Sequence, residues 1–310
     1  MKMYILSGGL TQEQTTIRMS ADRVSKTAAE IGYSPVIVPV GHQRQATLTE
    51  LVSKYREGDV VLPLISGVEG FLTAMDIPYI GSDPTAAGIA ANKGLFNDLV
   101  RSWGLGKVPY VRLHERQTLD LRSLQDVRYP VFVKPARLGG SNGISKVERP
   151  ADLDAAISLA RGHDTEVLIE GFAGTVEIEI AAICGEKSVF SEPGLVSIPE
   201  GADWHSSAAK QTSTMSVEVL RDSALASRCV QVAQMICTKL GVSSGVRIDL
   251  FHNEGALLVG EINCVPGHNP ASNFPKVFEL SGVSRAEQLT QLVQTAFWKR
   301  DSGKDNRSRF

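Results

Sequence analysis

Residues 245–267 read GVRIDLFHNEGALLVGEINCVPG, and the last eight decide how the rest is understood. An apolar run, ALLVG, ends by placing Glu261 and Asn263 two residues apart, and Pro266-Gly267 stops the strand at once. In a strand, residues i and i+2 share a face with Cα atoms about 7 Å apart, so both side chains aim oxygen at one place. The preceding RIDLF pairs with this run as a β-hairpin, Asn253-Glu254-Gly255 suiting a three-residue loop with glycine in the left-handed position. An odd loop gives opposed residues the same parity, so Arg247, Asp249, Glu261 and Asn263 project from one face. Ile248, Leu250, Val259 and Ile262 do not fit a strict two-sided split. Two carboxylates and an amide oxygen form a hard-oxygen set suited to Mg²⁺ that arrives with a nucleotide's phosphates. Each residue alone is an ordinary exposed charge; the four together beside Pro-Gly favour a metal. Arg247 either pairs with Asp249 or stabilises negative charge developing on a substrate.

Outward from the hairpin, the first ~85 residues alternate strand and helix. MYILS leads to Gly8-Gly9, then a polar helix near 13–31, the strand SPVIVPV, a helix over 48–55, DVVLPLI and a last strand IPYIGS. This is a small parallel-sheet unit whose ligand site lies at the strands' carboxyl ends, where Gly8-Gly9 falls. Ser82-Asp83-Pro84 starts a helix that runs to Gly104. VFVKPARLGGSNGISKV is a strand–loop–strand unit with Lys134 at a strand end and a glycine-rich turn before the next strand. Glycine lets backbone N–H groups approach phosphate, and lysine adds a point charge. A plain flexible hairpin accounts for the glycines equally well. There is no Walker loop and no dinucleotide fingerprint. A helix over 151–161 follows, then EVLIEGFAG and TVEIEIAAIC, the latter alternating with period two. Glu170 and Glu177 are either exposed strand-end glutamates or nucleotide contacts, and Lys93 on the preceding helix reads locally as solvated. Residues 191–215, rich in Gly, Pro, Ser and Ala, read as a mobile loop; a helix spans 222–240, and the tail after Trp298 reads as frayed.

The 310 residues are 43% hydrophobic and 21% charged, with net charge −2, so neither nucleic acid nor a membrane surface is implied as a partner. No apolar run approaches the ~20 residues of a membrane helix, and the start reads as a core strand rather than a secretory signal. Cys184, Cys229, Cys237 and Cys264 form no CxxC pair and read as buried thiols of a cytoplasmic protein.

Lys93, VKPARLGGSNG, VLIEGFAGTVEIEI, GVRIDLF and EINCVPGHNPAS, in this order, resemble the ATP-grasp superfamily, and within it the D-alanine–D-alanine ligase family, over nearly the whole chain. The resemblance implies an α/β ATP-grasp fold with α+β character in its C-terminal part. Three domains are expected, at 1–85, 86–169 and 170–310. It also implies a cytoplasmic ligase, a homodimer, that phosphorylates a carboxylate to an acyl phosphate for attack by an amine. ATP and two Mg²⁺ (or Mn²⁺) ions are the implied cofactors, and small amino-acid substrates the partners.

On this resemblance Lys93 and Lys134 hold ATP phosphates, and the turn with Gly139, Gly140 and Ser141 closes over them. Glu170, Gly171 and Ala173 meet adenine and Glu177 the ribose. Asp249, Glu261 and Asn263 bind metal. Arg247 and the Gly267 backbone stabilise the tetrahedral intermediate, and Lys210 covers the γ-phosphate from the loop. Glu13 meets the amino group of the first substrate and Ser272 the carboxylate of the second. Three positions depart from the family: Gly140 stands at a serine position, Gln211 at a tyrosine position and Ser66 at a histidine position. These departures suggest an altered first-substrate pocket, and hence a related or cyclising ligase of a specialised pathway such as antibiotic biosynthesis. A true D-alanine–D-alanine ligase, a non-catalytic ATP-binding paralogue and, on fold analogy alone, a nucleotide-sugar or NAD enzyme are the alternatives.

Overall fold

The computed structural model of the chain describes residues 1–8, 14–140, 142–197 and 216–307. Its strands form three sheets. In the first, β1 (Lys2–Ser7) lies between β2 (Ser34–Pro39) and β3 (Val60–Pro63), all parallel, with α1 (Gln14–Glu30) and α2 (Arg44–Lys54) as crossovers and the short α3 (Glu69–Ala74) after β3. The unbroken apolar run of β1 is buried on both faces, as a central parallel strand requires. Among the described residues, 77–82 make one bridge, Tyr79 to Val61, instead of the expected strand, because Pro78 has no N–H to give a ladder.

Asp83 caps α4 (Pro84–Ala91), accepting from the Thr85 and Ala86 amides. The single helix expected up to Gly104 is two. Asn92, at φ −108° and ψ 100°, ends α4, and its Oδ1 accepts from Leu95 N at 3.0 Å to cap α5 (Lys93–Ser102). Lys93 is therefore the first residue of a helix rather than an interior one.

The second sheet is antiparallel, ordered β4 (Tyr110–Leu113), β7 (Val167–Gly171), β5 (Val131–Pro135), β6 (Ser145–Val147). Helix α6 (Leu153–Arg161) packs on it through Leu153, Ala156, Ile157 and Ala160. In the third sheet β8 (Val176–Ile183) pairs with β12 (Gly245–Asn253), which pairs with β13 (Ala256–Asn263). On the other side of β8 come β10 (Gly194–Ser197) and β11 (Ser216–Val219), with β9 (Val189–Phe190) pairing off this path. The segment 191–215, expected as a mobile loop, contains β10; its residues 198–215 lie outside the described residues. Helix α7 (Ser223–Leu240), capped by Asp222, covers one face of this sheet. Even-numbered Ile178, Ile180, Ile248 and Leu250 face it. Odd-numbered Ala181 and Ile183 pack instead with Phe274 and Phe278 of α8 (Asn273–Leu280). Both faces of β8 are therefore covered, and its period-two alternation separates two buried surfaces rather than core from solvent. The last helix, α9 (Arg285–Arg307), continues through the tail expected to fray. Lys299 fastens it, donating to the Tyr79 carbonyl at 3.2 Å and standing 3.3 Å above the Tyr79 ring centroid. Among the described residues no helix is long and apolar enough to cross a membrane.

The hairpin corrects the expected loop and explains its misfitting parity. Asn253 pairs with Ala256, leaving a two-residue turn in which Glu254 (φ 48°) and Gly255 (φ 82°) are both left-handed. A two-residue turn alone would put Asp249 and Glu261 on opposite faces. The register shifts between Asp249 and Leu250, where Gly260 is the extra residue of a β-bulge. It returns Glu261 and Asn263 to the face of Asp249 and Arg247, and leaves Val259 and Ile262 together in the core.

Candidate active site

Register across three strands builds the site. Glu179 of β8 lies opposite Asp249, and Asp249 opposite Glu261, so three carboxylate residues form one row. The next row is Ala181, Arg247 and Asn263. Arg247 grips Asp249 bidentately, Nε to Oδ1 and Nη2 to Oδ2, both at 2.7 Å, and reaches Glu179 Oε1 at 3.5 Å. Of the two readings of Arg247, the pairing with Asp249 is thus present. Carboxylate oxygens of Glu177, Glu179 and Asp249 lie within 4.8 Å of one another. Glu179 is 2% exposed, and its Oε2 has no hydrogen-bond partner among the described residues. Burial pushes the Glu179 carboxyl up to about 8 against the pull of Arg247, with Asp249 and Glu177 adding to the rise. Burial raises Asp249 likewise. Burial works against the Arg247 cation, but Asp249 and Glu179 overcome it and hold the guanidinium protonated.

The sequence reading placed the metal on Asp249, Glu261 and Asn263. Asp249 and Glu261 are neighbours as expected, while Asn263 Oδ1 accepts from Val265 N at 3.0 Å. Glu179 was missed, although the period-two spacing of VEIEI already put it on the face of Glu177. An orphaned buried carboxylate oxygen in a hard-oxygen cluster, with one guanidinium inside it, fits a divalent cation.

The cationic side is assembled from two other elements. Lys93 donates from Nζ to the Leu138 carbonyl at 3.0 Å and stands 3.6 Å from Glu261 Oε2, so it is not the solvated lysine of the local reading. Asn92, which caps the helix beneath it, donates to Glu166, and Glu166 in turn is held by Arg112. Lys134 at the end of β5 pairs with Glu170 of β7. Glu170 is 5% exposed, not an exposed strand-end residue; Lys107 stands 3.6 Å away and Asn97 donates to it. Burial alone would raise the Glu170 carboxyl; Lys107 and Lys134, with Asn97, hold it at about 2. Glu177 is also largely buried. Gly171 donates to the Pro109 carbonyl at 3.0 Å, and Ala173 sits in the turn between β7 and β8. In the glycine-rich turn Gly140 has φ 67° and Gly143 φ 69°. A Cβ on Gly143 would fall 2.7 Å from the His163 ring, so this turn needs glycine for space as well as for dihedral angle.

Gly267 and Ser272 are adjacent: a Cβ on Gly267 would lie 2.5 Å from Ser272 Oγ. Ser272 precedes α8 without spending its hydroxyl on the cap. Its neighbour Asn273 is buried beside Glu179 and favours the ionised form of that carboxyl, which brings this corner to the carboxylate row. His268 N donates to Ser20 Oγ at 3.2 Å, docking the corner on α1. Glu13, Ser141 and Lys210, with Gln211, lie outside the described residues.

The D-ala D-ala ligase C-terminus family matches residues 99–294. The chain is 31% identical to the D-alanine–D-alanine ligase of Arthrobacter sp. (strain FB24), covering 94% of this chain and 82% of the relative. Its structure is similar to that of the D-alanine–D-alanine ligase from Coxiella burnetii, with TM-score 0.85, 21% identity, and coverage of 99% and 97% of the two chains. It is similar also to the D-alanine–D-alanine ligase from Bacillus anthracis complexed with ATP, with TM-score 0.80, 22% identity, and coverage of 97% and 99%. These likenesses carry the ATP-grasp fold, and the family match with the curated relative carries membership: the chain belongs to the D-alanine–D-alanine ligase family, ATP-grasp enzymes that form C–N bonds.

Proposed function

We propose that the chain is an ATP-dependent, ADP-forming ligase that joins two D-amino acids, with D-alanine the reference substrate, through an acyl phosphate. The observation that carries this reading is the carboxylate row Glu179–Asp249–Glu261 facing Lys93. The likeness to an ATP-bound relative and the name of the curated relative support it.

In this reading ATP lies between the second and third sheets. Lys93 and Lys134 take its phosphates, with Gly139, Gly140 and Ser141 above them. Glu170, Gly171 and Ala173 face adenine and Glu177 the ribose. Asp249, Glu261 and Asn263 hold Mg²⁺, whose role is to neutralise phosphate charge. The first substrate, its amino group on Glu13, attacks the γ-phosphorus through a carboxylate oxygen, and ADP leaves. The amine of the second substrate, its carboxylate on Ser272, attacks the acyl carbon. Arg247 and the Gly267 amide receive the developing oxyanion; the acyl carbon–oxygen bond then breaks to release inorganic phosphate, and the amine's proton is lost to that phosphate or to water. Lys210 closes over the γ-phosphate, and exclusion of water protects the acyl phosphate.

A second reading, a changed first substrate, is favoured by Gly140, which at φ 67° brings no hydroxyl to a position where the family carries serine. ADP release with ATP and Mg²⁺ against D- and L-amino acids, singly and in pairs, with product masses, separates the two. The dipeptide mass from D-alanine alone is expected. Turnover only with another amino acid establishes the second reading, and silence with every amino acid overturns both.

A further inference from the structure

Lys107 has no part in the chemistry described above, yet it occupies its junction. Its side chain is 3% exposed, between the second sheet and the outer edge of β13. Nζ lies 3.1 Å from the Val259 carbonyl, 3.0 Å from the Gly260 carbonyl and 3.6 Å from Glu170 Oε1. An ammonium has three protons, and here it meets three acceptors. Successive carbonyls of a regular strand point to opposite edges. One ammonium reaches both here because the bulge adds a residue. The backbone on either side is committed as well: Gly106 O accepts from Val259 N at 2.8 Å, and a Cβ on Gly106 would fall 2.3 Å from the Leu257 carbonyl.

The consequence concerns Lys134. Glu170 is buried and paired with two lysines, and the nucleotide reading needs one of them, Lys134, on a phosphate. If Lys134 were the only partner, its departure would strand a buried carboxylate, which is strongly unfavourable. With Lys107 fixed by two carbonyls, Glu170 keeps a cation when Lys134 turns away. We propose that Lys107 is the positioning residue that holds Glu170 and thereby releases Lys134 to the triphosphate. The inference rests on the nucleotide reading of the site.

Calorimetric titration with ATP, and separately with inorganic tripolyphosphate, tests it on the wild type, Lys107→Met, Glu170→Gln and the double variant. Lys107→Met is expected to weaken both ligands about tenfold or more, the scale of one charge-assisted hydrogen bond, because Lys134 is then retained by Glu170. Adding Glu170→Gln to Lys107→Met is expected to restore tripolyphosphate binding, since nothing then retains Lys134. A purely structural lysine would not be rescued by a second lesion. Lys107→Met with wild-type affinity for both ligands, or a double variant no better than Lys107→Met, overturns the proposal. If Lys107→Met does not fold, the double variant is compared with Glu170→Gln. Equal tripolyphosphate affinity supports the proposal, and a further tenfold loss overturns it. Failure of the wild type to bind ATP would instead remove the nucleotide reading itself.

Discussion

Replacing Gly260 by alanine tests whether the bulge sets the carboxylate row. A Cβ there would stand 2.8 Å from the Asp249 carbonyl and 2.8 Å from Phe251 Cε2, where ordinary contact begins at 3.4 Å. The neighbours must therefore retreat by roughly 0.6 Å, a displacement on the steep part of the repulsive wall. The Phe251 ring is half-buried and can turn, but the Asp249 carbonyl belongs to β12, which is paired on both sides. Overpacking of this kind costs about 1–3 kcal/mol. Because the chain has several cores, the loss is read locally: amides of residues 245–263 should exchange with deuterium roughly 10–100-fold faster. Asp249 and Glu261 move with the backbone, so ADP release at saturating ATP should fall by about two orders of magnitude, the effect of a misplacement near 1 Å. Gly88, inside α4 with nothing within 4 Å of its Cβ position, is the control. Alanine there should leave turnover unchanged and strengthen the helix by up to about 1 kcal/mol. Wild-type exchange and wild-type turnover in Gly260→Ala would refute the claim that this residue fixes the row.

Three further outcomes follow from burial and charge. Glu170 has a folded pKa of about 2, below its ordinary 4.5, so its stabilising contribution is complete above the unfolded value and fades as pH falls toward 2. Acid unfolding of Glu170→Gln should therefore lose pH dependence between about pH 5 and pH 2; an unchanged acid profile would contradict the pairing. Burial, with Arg285 adding, lowers His268 to about 4, so its imidazole should remain neutral at pH 6 in nitrogen-resolved NMR. A midpoint near the ordinary 6.5 would mean that the ring is solvated. All four cysteines are free and buried, so Ellman's reagent should find no thiol in the native protein and four after denaturation. Rapid native reaction would show an open core.

What the sequence made legible was local. Alternation in RIDLF and GEIN, the stop at Pro266-Gly267 and the cap at Asp83 each depend on neighbours within a few positions. The hairpin face came out correctly although its loop length was wrong, because the bulge at Gly260 offsets the shorter turn. The misfit of Val259 and Ile262 to a two-sided split was the trace of that bulge. A glycine at a register change reads in sequence like any other glycine, and only its contact with the Asp249 carbonyl distinguishes it. Asn92 was passed over inside a helical run because nothing adjacent requires a break; its reason is Glu166, 74 residues away. Lys107 and Asn97 were invisible for the same cause, since their partner Glu170 lies on a strand far away in sequence.

The row also shows why burial of charge at this centre belongs to the fold as much as to the chemistry. Glu179 occupies a β8 position with both sides paired, and its side chain is buried among Glu177, Asp249 and Arg247. Burying a carboxylate without full compensation is unfavourable by several kcal/mol, and Arg247 already spends Nε and Nη2 on Asp249. Asn273 answers part of Glu179 from the first turn of α8, one residue from Ser272. The carboxylate row and the Gly267–Ser272 corner therefore meet at Glu179. Because burial pushes this carboxyl up to about 8, a cation entering the row must displace its proton, so occupancy of the row is favoured as pH rises.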